Sequence, residues 1–218
     1  MAKQLSKHEE RKYHEVDKVA SGALVLKSNV TPTTNTVCLT NIPPGSTYQQ
    51  RIGNEVKLKG LSIKYEIVVQ TAGTLPDPGI GLIRMMIWRV RDWEVYNPTT
   101  GYLPYNMLAK NSDNAAMCLS HYTLSPAYKG GFKVYYDKVI QPNASKTVST
   151  PVASNISSTW NRFGKIYFKF PSNMIEKFTS TLADSSARNH IFISVFGTLS
   201  TSLDSAYCRF YSRLVFTE

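Results

Sequence analysis

Apolar and polar positions alternate with a period of two through much of this chain, and the longest such stretch is QQRIGNEVKLKGLSIKYEI, residues 49–67. Val56 and Leu58 take one face and Lys57 and Lys59 the other. Past Gly60 the phase slips by one residue, and Leu61, Ile63, Tyr65 and Ile67 become the apolar set. A period-2 pattern that slips at a glycine predicts a strand carrying a bulge. It is the natural central strand of an all-β sandwich. Further strands are predicted at residues 23–26, 37–39, 81–92, 132–138, 165–170, 191–198 and 207–216, with a weaker stretch at 117–123. Residues 81–92, GLIRMMIWRVRD, are so continuously apolar that burial on at least one face is expected. Short helical pieces are expected at 104–109, begun by Pro104, and within 173–182. Long polar connections occupy 93–116 and 141–158. About eight strands with long loops and little helix suit a double-sheet jelly roll better than a tight barrel.

A length of 218 residues, 42% of them hydrophobic, accommodates one large β domain with a buried core. With neither repeat nor linker, the economical division is an arm, 1–18, and a single domain, 19–218. The arm's apolar positions, Leu5, Tyr13 and Val16, are too sparse for an amphipathic stripe, so at most a short solvated helix is expected there.

Charge changes the picture. The chain carries +10, yet Lys3, Lys7, Arg11, Lys12 and Lys18 face Glu9, Glu10, Glu15 and Asp17 within the arm, which leaves the arm at only +1. The basic part is the body. A surplus of this size points to a polyanion, most simply nucleic acid. Cys38, Cys118 and Cys208 lack paired spacing and read as reduced, buried thiols. The polar N-terminal stretch does not read as a signal peptide, and no apolar run reaches the roughly 18–20 residues of a membrane span. An intracellular compartment without membrane insertion is expected. The glycosylation-type triplets at Asn29, Asn143 and Asn155 then read as accidental.

Catalytic chemistry finds little footing. His8, His14, His121 and His190 are scattered, with no metal-ligand pair or nucleophile–base motif, and no phosphate-binding glycine loop occurs. Asp77, Asp92, Asp113, Asp137 and Asp184 would hold a calcium ion only if a subunit boundary gathered them, which the sequence does not show, and no metal is expected. No cofactor is expected. Two strands do put cations and tyrosines on their polar side: Lys165 and Lys169 around Tyr167, and Arg209 and Arg213 around Tyr211. Cations at that spacing can pair with phosphates, while tyrosines offer stacking faces to unpaired bases. A solvated sheet face is the bland alternative. Arg51, ahead of a glycine, reads as a loop anchor through a carboxylate or backbone carbonyls.

The ordered segments ERKYHEVDKVASG, NIPPGSTYQQRIGNEVKLKGLSIKY, IRMMIWRVRD, GGFKVYYDKVI and a C-terminal strand ending RLVFTE resemble, together, the single-jelly-roll capsid proteins of circular, Rep-encoding single-stranded DNA viruses, the circovirus-like group. The matching positions are Gly45, Gln50, Arg51, Gly53, Leu58, Lys59, Leu61 and Tyr65, then Arg84 and Asp92, then residues 132–138. Coat proteins of satellite plant RNA viruses share a similar QRxG segment, which leaves DNA and RNA both open. The resemblance implies a jelly roll of strands B to I and self-association into a small icosahedral T=1 shell of about 60 copies. It further implies packaging of a circular single-stranded DNA genome and a place in the virion, with assembly in the nucleus or cytoplasm. It departs from the family in its arm, which is not Arg-rich. On the family's sheet arrangement, strands B, I, D and G face the lumen. Phosphate contacts are then expected at Lys27, Lys165, Lys169, Arg209 and Arg213, joined by Lys3, Lys7, Arg11 and Lys12 of the arm, with Arg89 and Arg91 as further candidates. The competing reading is a monomeric lectin-like module using Trp93, Tyr96, Tyr102 and Tyr105. A metal-dependent cupin-type enzyme lacks the clustered histidines it would need.

Overall fold

The long alternating stretch folds as one strand with the bulge its phase slip predicts. In this computed structural model, which describes residues 10–19, 22–27, 35–71, 81–90, 108, 118–121, 131–142, 158–178, 186–199 and 205–218, that strand is β4, Glu55–Thr71. The others are β1 (Lys12–Asp17), β2 (Leu24–Val25), β3 (Thr36–Cys38), β5 (Ile83–Val90), β6 (Phe132–Ile140), β7 (Ser158–Lys169), β8 (Ile175–Phe178), β9 (Ser186–Arg188), β10 (Ile191–Gly197) and β11 (Ser205–Thr217). Opposite β4, Val215 pairs with Gly60 and Phe216 with Leu58, so Lys59 is the extra residue of the bulge. That insertion keeps Val56 and Leu58 on the same buried side as Leu61, Ile63 and Ile67.

Two antiparallel sheets result. One contains β2–β11–β4–β7, and the other is β3–β10–β5–β6. These neighbour orders are those of a double-sheet jelly roll, with strands B, I, D, G in the first sheet and C, H, E, F in the second. β1, β8 and β9 extend the first sheet. Between the sheets, Leu58, Leu61, Ile63, Ile67 and Phe210 pack toward Ile83, Met85, Ile87, Ile193 and Val195. Gly164 of β7 is needed here, since a Cβ would collide with the ring of its register partner Tyr65.

Several expectations are corrected. The second half of the arm is no helix: Lys12–Asp17 forms β1, in register with Asp17↔Tyr211 through Lys12↔Phe216 of β11. Its apolar stripe is sparse because the edge of β11, not a hydrophobic face of its own, gives it structure. The helical turn expected within 173–182 is instead the short strand β8, while Cys118 and Leu119 take helical backbone where a weak strand was expected. Apart from Leu108, the expected helix at 104–109 lies outside the described residues, as does the whole of 91–107.

β5 and β10 are buried on both faces, as their continuous apolar sequences require. On the outer side of their sheet Met86, Trp88, Val90, Phe192 and Phe196 pack with Leu108 and Cys118. The Trp88 indole stacks on Phe192 at 4.8 Å and donates a 2.9 Å hydrogen bond to Ser194 Oγ. Arg84, on the same side, donates to both Asp137 oxygens at 2.8 and 2.6 Å and to the Ser120 carbonyl at 2.8 Å.

Candidate nucleic-acid interface

The other sheet turns a different face outward. Because Leu61, Ile63, Tyr65 and Ile67 of β4 point into the core, Ser62, Lys64 and Glu66 point away from it. By the same alternation β7 buries Ile166 and turns out Phe163, Lys165, Tyr167 and Lys169, while β11 buries Cys208, Phe210 and Leu214 and turns out Tyr207, Arg209, Tyr211 and Arg213. Register sorts these into cross-strand rows. Tyr211, Lys64 and Lys165 form one; Arg213, Ser62 and Tyr167 the next; Arg209, Glu66 and Phe163 another. Side chains directly opposite in a row lie about 5 Å apart at Cβ.

The cations expected to meet phosphate have unequal surroundings. Arg209 reaches Glu66 at 3.6 Å and lies 4.6 Å over the Tyr207 ring. Arg213 pairs with Glu15 of β1 at 2.7 Å and lies 5.1 Å over Tyr13. A hydrogen bond from Tyr211, together with Arg213, holds the Glu15 carboxyl below the usual carboxylate range. Both arginines therefore carry their own counter-charge. Lys165 and Lys169 are exposed and have no carboxylate partner among the described residues.

Lys12 corrects the expectation for the arm. It points inward, is only 4% exposed, and gives its ammonium to Glu218 at 3.1 Å and the Gln50 carbonyl at 3.4 Å. Its role is to hold β1 in place. Lys27, past β2, is half-buried and bridges to Leu199. Arg11 is exposed just ahead of β1, and Lys3 and Lys7 lie outside the described residues. Arg89 belongs to β5, in the opposite sheet, which removes it from this face; Arg91 lies outside the described residues.

Two residues of the face escaped the sequence reading. Lys64 stands directly opposite Lys165 and likewise has no carboxylate partner among the described residues. Phe163 is 73% exposed in line with Tyr167, which is 65% exposed. The signals existed: the slip at Gly60 puts Lys64 on the side of Lys57, and Phe163 is an apolar residue on the polar phase of β7. Their juxtaposition was not visible, because it depends on which strand pairs with which.

A second cluster lies buried where the two sheets meet at one end of the sandwich. His190 Nδ1 is 2.7 Å from Glu176 Oε1, 3.0 Å from Thr40 Oγ1 and 3.4 Å from Cys38 Sγ. Burial works against charge on His190, but Cys38 and Glu176 outweigh it and raise its pKa to about 10. Burial pushes the Glu176 carboxyl up, against His190, Thr40 and Arg51. Sulfur, hydroxyl and carboxylate all crowd one ring nitrogen, so the ring cannot relay a proton from the sulfur at one nitrogen to the carboxylate at the other, as a nucleophilic triad requires. Burial also pushes the Cys118 and Cys208 thiols up to about 12, which leaves them inert. Arg51 is the loop anchor its sequence context suggests. Buried, it donates to the carbonyls of Ile42 at 3.2 Å and Gly53 at 2.8 Å, and its guanidinium sits 4.0 Å over the Phe178 ring. Asp137, one of the dispersed aspartates, is occupied by Arg84.

Comparison with protein-family models finds no match, and comparison with characterised proteins finds none. Among solved structures, the chain is similar to one of Desmodium yellow mottle tymovirus at a TM-score of 0.38 and 7% identity, over 100% of this chain and 91% of that one.

Proposed function

We propose that this chain is a structural subunit that self-associates into a small closed icosahedral shell and holds single-stranded nucleic acid against the bare face of β4, β7 and β11. The observation that carries the reading is that face itself: a jelly-roll sheet whose outer side carries lysines with no carboxylate partner among the described residues, interleaved with exposed aromatic rings. The sequence segments that resemble circovirus-like capsid proteins support the same reading. Binding would be independent of base sequence and weakened by salt, because lysine contacts to phosphate act through counterion release. No catalysis is invoked; the work of the protein is containment. The face would turn toward the shell's interior, and the virion would be its place.

Electron microscopy of the purified protein, with absorbance at 260 and 280 nm on the same fractions, tests this. Uniform shells whose nucleic-acid content falls on high-salt disassembly are expected, and nuclease and sugar analysis of the released polymer assigns DNA or RNA. A protein that stays monomeric across salt and pH overturns the shell; shells that form empty overturn the nucleic-acid face.

A further inference from the structure

We propose that β4 and β7 form a subsite for one step of a single-stranded chain, with a phosphate between Lys64 and Lys165 and unpaired bases on Phe163 and Tyr167. This rests on the reading of the face as nucleic-acid-binding and specifies the groups that bind.

The register is the first support. Lys64 and Lys165 are directly opposed on an exposed face, an arrangement that is unfavourable unless an anion lies between them. Elsewhere on this sheet the chain supplies the anion itself, as Glu66 does for Arg209 and Glu15 for Arg213. Here it supplies none among the described residues. Second, Phe163 and Tyr167 flank Lys165 on the same face of β7, each about 6.6 Å from it along the strand. A phosphate held at the lysine pair therefore has a ring on either side. Third, the Tyr167 ring leans along the face toward β4. It crosses β4 at the bulge, where a Cβ on Gly60 would come within 3.3 Å of its hydroxyl and 3.7 Å of Cε2. The glycine leaves the space the ring occupies, and the ring stays 65% exposed.

Aromatic rings bind bases through their π-faces, which a duplex keeps stacked inside, so the subsite selects unpaired strands. This patch laid on the same patch of a second copy would set ammonium against ammonium, whereas a phosphate chain supplies the missing anion. Charge therefore favours nucleic acid as the occupant.

The test uses the full chain, a labelled oligothymidine, a duplex of equal length, and polyphosphate as a polyanion without bases. Phe163→Leu with Tyr167→Leu keeps apolar bulk and removes the π-faces. It should weaken oligothymidine binding by about tenfold per ring, bring it down to the level of the duplex, and leave polyphosphate unchanged. Lys64→Gln with Lys165→Gln should weaken oligothymidine and polyphosphate together and lower the slope of log K against log salt by about 1.4. Unchanged oligothymidine binding by the leucine pair overturns the stacking while the basic face stands. Unchanged binding of both polymers by the glutamine pair overturns the phosphate site, and the face falls with it only if Lys169→Gln added to that pair also changes neither. If the leucine pair binds normally but no longer assembles, the rings are contacts between copies, and the proposal fails on that ground.

Discussion

The outer face of the β3–β10–β5–β6 sheet is covered, whereas that of the sheet built on β4 is bare among the described residues. On the covered side, Trp88 and Phe196 pack with Leu108 and Cys118, and the Arg84 guanidinium meets two carboxylate oxygens and a carbonyl. On the bare side Lys64, Lys165 and Lys169 face outward with no carboxylate among the described residues, beside Phe163 and Tyr167. A sandwich needs only its inner faces to fold. What each sheet does with its outer face is therefore a separate choice: one invests in stability, the other leaves charge and aromatic area for a partner.

The sharpest way to break this contrast is to mutate each face and read both stability and binding. Trp88→Ala should lose about 3–5 kcal/mol of unfolding free energy, from lost burial and the cavity left behind, and bind oligonucleotide normally while folded. Urea denaturation and fluorescence anisotropy on the same sample measure the two. Loss of binding by the folded variant would show that the covered face also contributes.

Arg84→Met should cost about 2 kcal/mol, from the charged hydrogen bonds it loses to Asp137 and the Ser120 carbonyl. Lys165→Met should stay within about 0.5 kcal/mol of the parent. Equal losses would mean that Lys165 is as embedded as Arg84.

The pH dependence separates the protein's internal cations from its outward ones. His190 is raised to about 10, above the ordinary histidine value, so the native state keeps a proton that the unfolded chain gives up. Its stabilising contribution is complete below pH of about 6.5 and is lost as pH rises toward its folded value. His190→Gln should flatten thermal stability between neutral and alkaline pH relative to the parent, while polyphosphate binding at neutral pH stays as it was. Parallel stability profiles for the two proteins would contradict the sign.

The smallest effect concerns the arginines the chain neutralises. Glu15→Gln with Glu66→Gln should free Arg213 and Arg209, raising affinity for single strands a few-fold and steepening the salt slope by at most about 1.4. If Arg209→Ala with Arg213→Ala, in the parent background, lowers the slope as much as Lys165→Ala with Lys169→Ala, the distinction between paired and unpaired cations has no functional weight.

Alternation along single segments was legible. It located β4 and its bulge, the burial of β5 on at least one face, and the outward side of β7 and β11. The role of Arg51 could be read too, because an arginine beside a glycine turn has few other uses. Nothing along one segment could reveal what stands opposite. Arg209 and Arg213 looked as available as Lys165 and Lys169, and only the pairing of β11 with β4 and β1 brings Glu66 and Glu15 beside them. Lys12 looked like a tail cation, yet its burial depends on Glu218, which approaches because β1 and β11 run antiparallel. Cross-strand pairing between distant segments fixes these surroundings, and period-2 patterning carries no record of it.

The extra residue at Lys59 bears on how this segment can vary by descent. Removing one residue there would turn Val56 and Leu58 outward and Lys57 inward, while an exchange of one outward side chain for another leaves the phase intact. The stretch from Arg51 to Leu61 should thus tolerate drift in letters far better than change in length. Alignments that look for distant kin of this chain are better anchored on that spacing than on identity.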